Sequence, residues 1–153
     1  MKITNYLTPE LVVAELAVSS KDEALQQLAE QVAAEVPGLE SAGILAVLKE
    51  REALGSTGIG GGIAIPHGKM SALEDVVVLF ARSSQGVEFA AVDGKPVHLI
   101  FLLLAPEGAA GTHLKILARI SRMLKQSELC DKLLASADAG ALFDLIKQED
   151  ESS

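Results

Sequence analysis

Cysteine is almost missing from this chain. Cys130 stands alone among 153 residues, which excludes an internal disulfide framework and suits a reducing cytoplasm. Tryptophan is absent, and one tyrosine with four phenylalanines (Tyr6, Phe80, Phe89, Phe101, Phe143) leaves little for stacking on nucleic-acid bases. Basic residues are the minority, 13 against 21 acidic for a net charge of −8. A binder of phosphate backbones needs the reverse balance. Long hydrophobic runs are also lacking. The longest, residues 97–105, is broken by His98 and falls far short of the ~20 residues that span a bilayer. The start, MKITNYLTPE, has one lysine and no apolar core, so it does not read as a secretory signal. These absences point to a cytoplasmic domain without nucleic acid or membrane insertion.

What is present is a rich apolar complement, 49% of residues, enough for one core in a chain of this size. LVVAELAV (residues 11–18) reads as a strand. Ser20 with Glu23 forms a capping-box pattern before a helix that Pro37-Gly38 stops. Residues 41–54 give a second helix ending at Gly55. VVVLFAR (residues 76–82) is a strand, QGVEF a turn into a short extended piece. PVHLIFLLLA (residues 96–105) is apolar on both faces and hence central. Thr112 is the expected cap of a helix running to Lys125, and shorter helices follow over residues 127–135 and 138–147. The expected fold is therefore α/β: one domain over residues 1–148, a mixed β-sheet flanked by helices on both faces. Residues 149–153 are expected to form a flexible acidic tail.

Standard catalytic motifs fail. In STGIGGGIAIPHGKM (residues 56–70) the spacing and the Met70 after Lys69 break the P-loop pattern, and a dinucleotide fingerprint would not run into IAIPH. No GxSxG elbow occurs, and His67, His98 and His113 lie too far apart for a local zinc motif. No metal or cofactor is expected. His67 nevertheless stands apart. Pro66 fixes the backbone before it and Gly68 lets the chain turn away after it. The imidazole would project from a rigid strand end, beside glycine amides able to approach an anion. A neutral nitrogen nucleophile with such donors suits a phosphoryl group.

Glu52, Ile59, Gly60, Ile63, Ala64, Ile65, Pro66, His67 and Gly68 fill every slot of a known pattern: an acid or amide, six residues, an aliphatic, glycine, two residues, then aliphatic-Ala-aliphatic-Pro-His-Gly. This stretch resembles the phosphohistidine site of fructose/mannitol-type enzyme IIA domains of the bacterial phosphotransferase system. KEREALGSTGIG, FAAVDGKPV and GTHLKILARISRMLK extend the resemblance over nearly the whole chain, closest to the stand-alone nitrogen-regulatory members. The resemblance implies that His67 accepts and donates a phosphoryl group and that His113 is the second active-site histidine. It implies Arg51 beside the phosphate, with Thr57, Gly58 and Gly60 as further phosphate-binding residues, while His98 reads as structural. The implied donor is an HPr-like phosphohistidine protein (NPr or HPr), and the implied output is phosphorylation-dependent binding of regulatory targets. The chain would then be a phosphoryl carrier rather than a turnover enzyme. Transfer to a separate IIB subunit, and a non-catalytic module holding a small anion, are the alternatives. Gly61 and Gly62 make the loop barer than in many relatives, and the domain is expected to act without a fused permease or carrier module.

Overall fold

The structure, a computed structural model, describes residues 2–152. The organising element is β6 (Val97–Pro106), in which residues 99–105 are all buried. Neighbouring residues of a strand face opposite ways, so such a run requires cover on both faces of the sheet. It pairs antiparallel with β5 (Val77–Val87) on one side. On its other side it pairs in parallel with β3 (Ile63–Ala64) and β4 (His67–Met70). β3 and β4 hold one continuous register along β6, with Ile63 beside Leu99 and His67 beside Leu103. Pro66 lacks an N–H and interrupts the ladder between them, although its carbonyl still accepts from Leu103 N at 3.0 Å. β1 (Val12–Val13) flanks β5 and β2 (Gly58–Gly60) flanks β3, so six strands form one mixed sheet.

Among the described residues five α-helices accompany the sheet: α1 (Lys21–Glu35), α2 (Ser41–Ala53), α3 (Ala110–Leu124), α4 (Ser127–Ala135) and α5 (Ala139–Ser152). The α/β class and the central strand follow the sequence reading, as does the capping box. Glu23 N donates to Ser20 Oγ at 3.2 Å, and Ser20 Oγ donates to Glu23 Oε1 at 3.0 Å. α1 and α2 pack on each other, α2 on β4, and α3 on β6.

Four expectations are corrected. The strand expected over residues 11–18 is only β1, because the guanidinium of Arg82 takes the Ala14 carbonyl at 3.0 Å that a ladder would have used. QGV does not turn but continues β5 through a register shift between Arg82 and Val87. Thr112 does not cap α3. A turn in which Ala109 N donates to Pro106 O starts the helix earlier, with Ala109 at the cap. Residues 149–152 belong to the last turn of α5 rather than to a loose tail, since Asp150 is fully buried. Ser153 lies outside the described residues.

Candidate phosphoryl-transfer site

α2 ends beside β4 because of a close approach that only glycine allows. A Cβ on Gly68 would fall 2.3 Å from Val47 Cγ1, so any larger residue would push the helix off the strand. That contact carries Val47, Glu50, Arg51 and Leu54, spaced as one helix face, onto the strand that begins with His67. Together with Gly68, Lys69, Glu107 and His113 they line an open cleft of about 450 Å³.

The hydrogen bonds of His67 fix its tautomer. Nδ1 lies 2.8 Å from the Ile65 carbonyl, which can only accept, so Nδ1 bears the hydrogen. Nε2 lies 3.3 Å from Arg51 Nε, which can only donate, so Nε2 holds its lone pair toward that guanidinium. Both partners require the same form. Arg51 is itself steered by a bond from Nη1 to the Gly55 carbonyl at 2.9 Å.

The segment after α2 is tied down by Glu52. Its carboxylate accepts from Thr57 N at 3.0 Å and from Thr57 Oγ1, and pairs with Lys21 Nζ at 2.7 Å. The acid that fills the first slot of the pattern thus braces the turn presenting the Gly55 carbonyl to Arg51.

His113 meets His67 edge-on, with ring centroids 5.4 Å apart and planes at 85°. Burial pushes the pKa of His113 down, with His67 and Lys69 adding to the effect. Its amide is already spent on the Ala109 carbonyl at 2.9 Å, so the side chain is what it offers the cleft. Among the described residues its buried Nδ1 has no hydrogen-bond partner, a state that an incoming polar group would relieve. Replacing His113 by alanine is expected to slow phosphoryl transfer about 100- to 1000-fold while acceptance still goes to completion, the loss of roughly one oxyanion contact. Single-turnover rates in both directions check this, and wild-type rates would make the residue a packing element only.

Thr57, Gly58 and Gly60 do not line the cleft. Thr57 N and Oγ1 serve Glu52, and Gly58 N donates to Ser56 Oγ at 3.0 Å. The glycine run forms a β2–β3 hairpin whose turn, Gly60 to Gly62, has φ of +95°, +67° and +82°. Glycine is needed there for the left-handed backbone. The Gly61 amide donates to Asp93 Oδ2 at 3.0 Å, and that bond, followed by one from Lys95 N, holds the Asp93 carboxyl below its usual range. The chain supplies its own carboxylate to the turn that the sequence suggested for a phosphate. His98 is also away from the cleft, its Nδ1 2.8 Å from the Ser83 carbonyl.

Lys69, Glu50 and Glu107 were not singled out from the sequence. Lys69 could have been, because residues two apart on a strand share a face and His67 starts β4. Among the described residues no group of three or more His, Cys, Asp and Glu side chains could hold a metal ion, and no helix is long and apolar enough to cross a membrane.

A family model described as "Phosphoenolpyruvate-dependent sugar phosphotransferase system, EIIA 2" matches residues 5–149. The chain belongs to this EIIA 2 family. A nitrogen regulatory protein of Bradyrhizobium diazoefficiens is 48% identical over 146 residues, 95% of this chain and 95% of that protein. The crystal structure of nitrogen regulatory protein IIA-Ntr from Neisseria meningitidis superposes with a TM-score of 0.88 at 34% identity, covering 94% of this chain and 98% of that one. Mannitol IIA of Escherichia coli, solved in complex with phosphorylated enzyme IIB, shares the fold with a TM-score of 0.76 at 20% identity, covering 91% of this chain and 95% of that one. For this EIIA 2 chain the two histidines and Arg51, far apart in sequence, are neighbours in the fold.

Proposed function

We propose that the chain is a phosphoryl carrier with a regulatory output, charged at His67 by an HPr-like phosphohistidine protein (HPr or NPr). The observation that carries the reading is the fixed tautomer of His67, which leaves the Nε2 lone pair toward Arg51 in an open cleft. In the step, Arg51 releases that lone pair, which attacks the phosphorus in line. The P–N bond to the donor imidazole breaks, and its electrons return to the donor nitrogen. The hydrogen stays on Nδ1, donated to the Ile65 carbonyl, and the positive charge left on the new N-phosphoryl imidazole is what keeps the group transferable. Arg51, Lys69 and His113 are placed to meet the phosphoryl oxygens.

Likeness to nitrogen regulatory proteins supports a regulatory carrier. Such a carrier works in the cytoplasm, and its two states differ by about −1.5 to −2 in charge at the cleft, by analogy with other phosphorylated side chains. A partner that docks over bare His67 would have to desolvate that charge on the phosphorylated form. Hand-over to a separate IIB subunit is the second reading, favoured by likeness to a mannitol IIA solved with its phosphorylated IIB partner.

The test is incubation with phosphoenolpyruvate, enzyme I and either HPr or NPr. The expected result is a mass gain of one phosphoryl group per chain, lost in acid and kept in alkali. No gain with stoichiometric phosphorylated donor of either type would overturn the proposal. Discharge onto a purified fructose or mannitol IIB at a rate matching the loading step would select the second reading.

A further inference from the structure

Charge is distributed very unevenly along this chain. Residues 108–126, which contain α3, hold Lys115, Arg119, Arg122 and Lys125 and no acidic residue, in a protein of net charge −8. Everything outside that segment therefore carries −12. Lys115, Arg119 and Arg122 recur at helical spacing and lie on one face. Like charges four apart on a helix repel one another, and this chain has 21 acids with which to avoid that cost.

The cations are also left available. Lys115, Arg122 and Lys125 are exposed, and among the described residues none of them pairs with a carboxylate. Arg119 is anchored by Asp150, through Nε to Oδ1 at 2.7 Å and Nη2 to the carbonyl at 2.6 Å, and among the described residues Nη1 has no hydrogen-bond partner. A cation already held in place loses less entropy when it binds. Two adjoining hollows of about 330 Å³ each share Arg119 and Arg122. Lys115 and Ala118 complete one, and Met123, Gln126, Glu149 and Ser152 complete the other.

We propose that this face of α3 docks a carboxylate-rich segment of a partner protein. Charge complementarity selects such a segment, because the stripe stands out from a strongly acidic remainder. A long polyanion such as DNA would overrun the stripe and meet the remaining −12, and among the described residues none of the exposed large apolar ones is aromatic. A membrane would want several large apolar side chains among the cations, and here Leu114 is the one large apolar residue that α3 exposes, with Ala118 between Lys115 and Arg122. A short acidic segment fits because its charge ends where the stripe ends. The proposal rests on this charge layout and not on phosphoryl chemistry.

The experiment is an amide NMR titration of the unphosphorylated full chain with an octaglutamate peptide. An octaglutamine peptide, a single-stranded oligonucleotide and phosphatidylglycerol vesicles serve as comparison probes. Octaglutamate should shift the amides of Lys115, Ala118, Arg119, Arg122 and Lys125, weakening as salt rises from about 50 to about 500 mM. The double variant Lys115→Glu, Arg122→Glu should bind about tenfold or more weakly. It should also keep the wild-type melting temperature and the wild-type extent of phosphoryl loading, which separates failure here from failure of the carrier reading. Absence of shifts, equal binding by the double variant, shifts centred on the His67 cleft, or a stronger response to oligonucleotide or vesicles each overturns the proposal.

Discussion

Alanine at position 67 is expected to reduce phosphoryl loading from one group per chain to none. The other two imidazoles cannot take over. His98 lies outside the cleft with Nδ1 at the Ser83 carbonyl. His113 is 5% exposed, and burial holds its pKa down, so it is a poorer and less accessible nucleophile. Arg51 would lose one of its two partners and keep Gly55. The fold should survive, because His67 is half-buried at a strand start and gives up only two side-chain bonds, one to Ile65 O and one from Arg51 Nε. Each such bond contributes about 1 kcal/mol, so the melting temperature should fall by at most several degrees. His67→Gln offers a second check, since a side chain of similar reach carries no basic nitrogen. Intact-mass measurement after incubation with phosphorylated donor reads the outcome. Full loading in His67→Ala would sink the assignment of the acceptor.

Much of the architecture is written in short-range pattern. Ser20 and Glu23 announce α1 because a capping box is local. β6 announces its central place because seven consecutive buried residues leave no solvent face. The parts that could not be read depend on chain segments far apart in sequence. Arg82 reaches the carbonyls of Ala14, Leu133 and Ser136, shortening β1 while tying β5 to the end of α4. Asp93 crosses 32 residues to satisfy Gly61, so a run of bare amides that resembles an anion nest is filled from within. At the cleft, His67 was legible from Pro66 and Gly68, whereas its union with Arg51 depends on Val47 fitting against Gly68. That fit is a matter of packing, which residue spacing alone does not encode.

Asp150→Ala is expected to destabilise the domain by about 3 kcal/mol at neutral pH, the size of effect seen when one partner of a buried charge pair is removed. The carboxylate is fully buried and gathers four donors. Ile3 N at 3.1 Å, Thr4 N at 3.0 Å and Thr4 Oγ1 at 3.0 Å come from the 3₁₀ turn over Ile3–Asn5, which has no side-chain cap of its own. Arg119 Nε at 2.7 Å comes from α3. One acid from the last turn of α5 therefore clamps the first residues of the chain to two helices. Removing it leaves two backbone amides, the Thr4 hydroxyl and Arg119 Nε without their acceptor, each of which costs more unmade than it contributes when made. In a domain of this size the loss corresponds to about 6–12 °C in melting temperature. The pH dependence has a definite sign. Burial by itself raises the pKa of Asp150, but the donors from Thr4, Arg119 and Ile3 outweigh it and leave the carboxyl below its ordinary value. A depressed pKa adds stability that is fully present above the unfolded-state value near ~3.9 and disappears as pH falls through the folded-state value. Asp150→Asn keeps the shape and lacks the charge, so its deficit against wild type should be largest at pH 5–7 and shrink below about pH 4. Urea unfolding of both proteins across that range measures the difference directly. A deficit that stays constant from pH 7 to below pH 4 would show that Asp150 stabilises the fold through packing rather than through its charge.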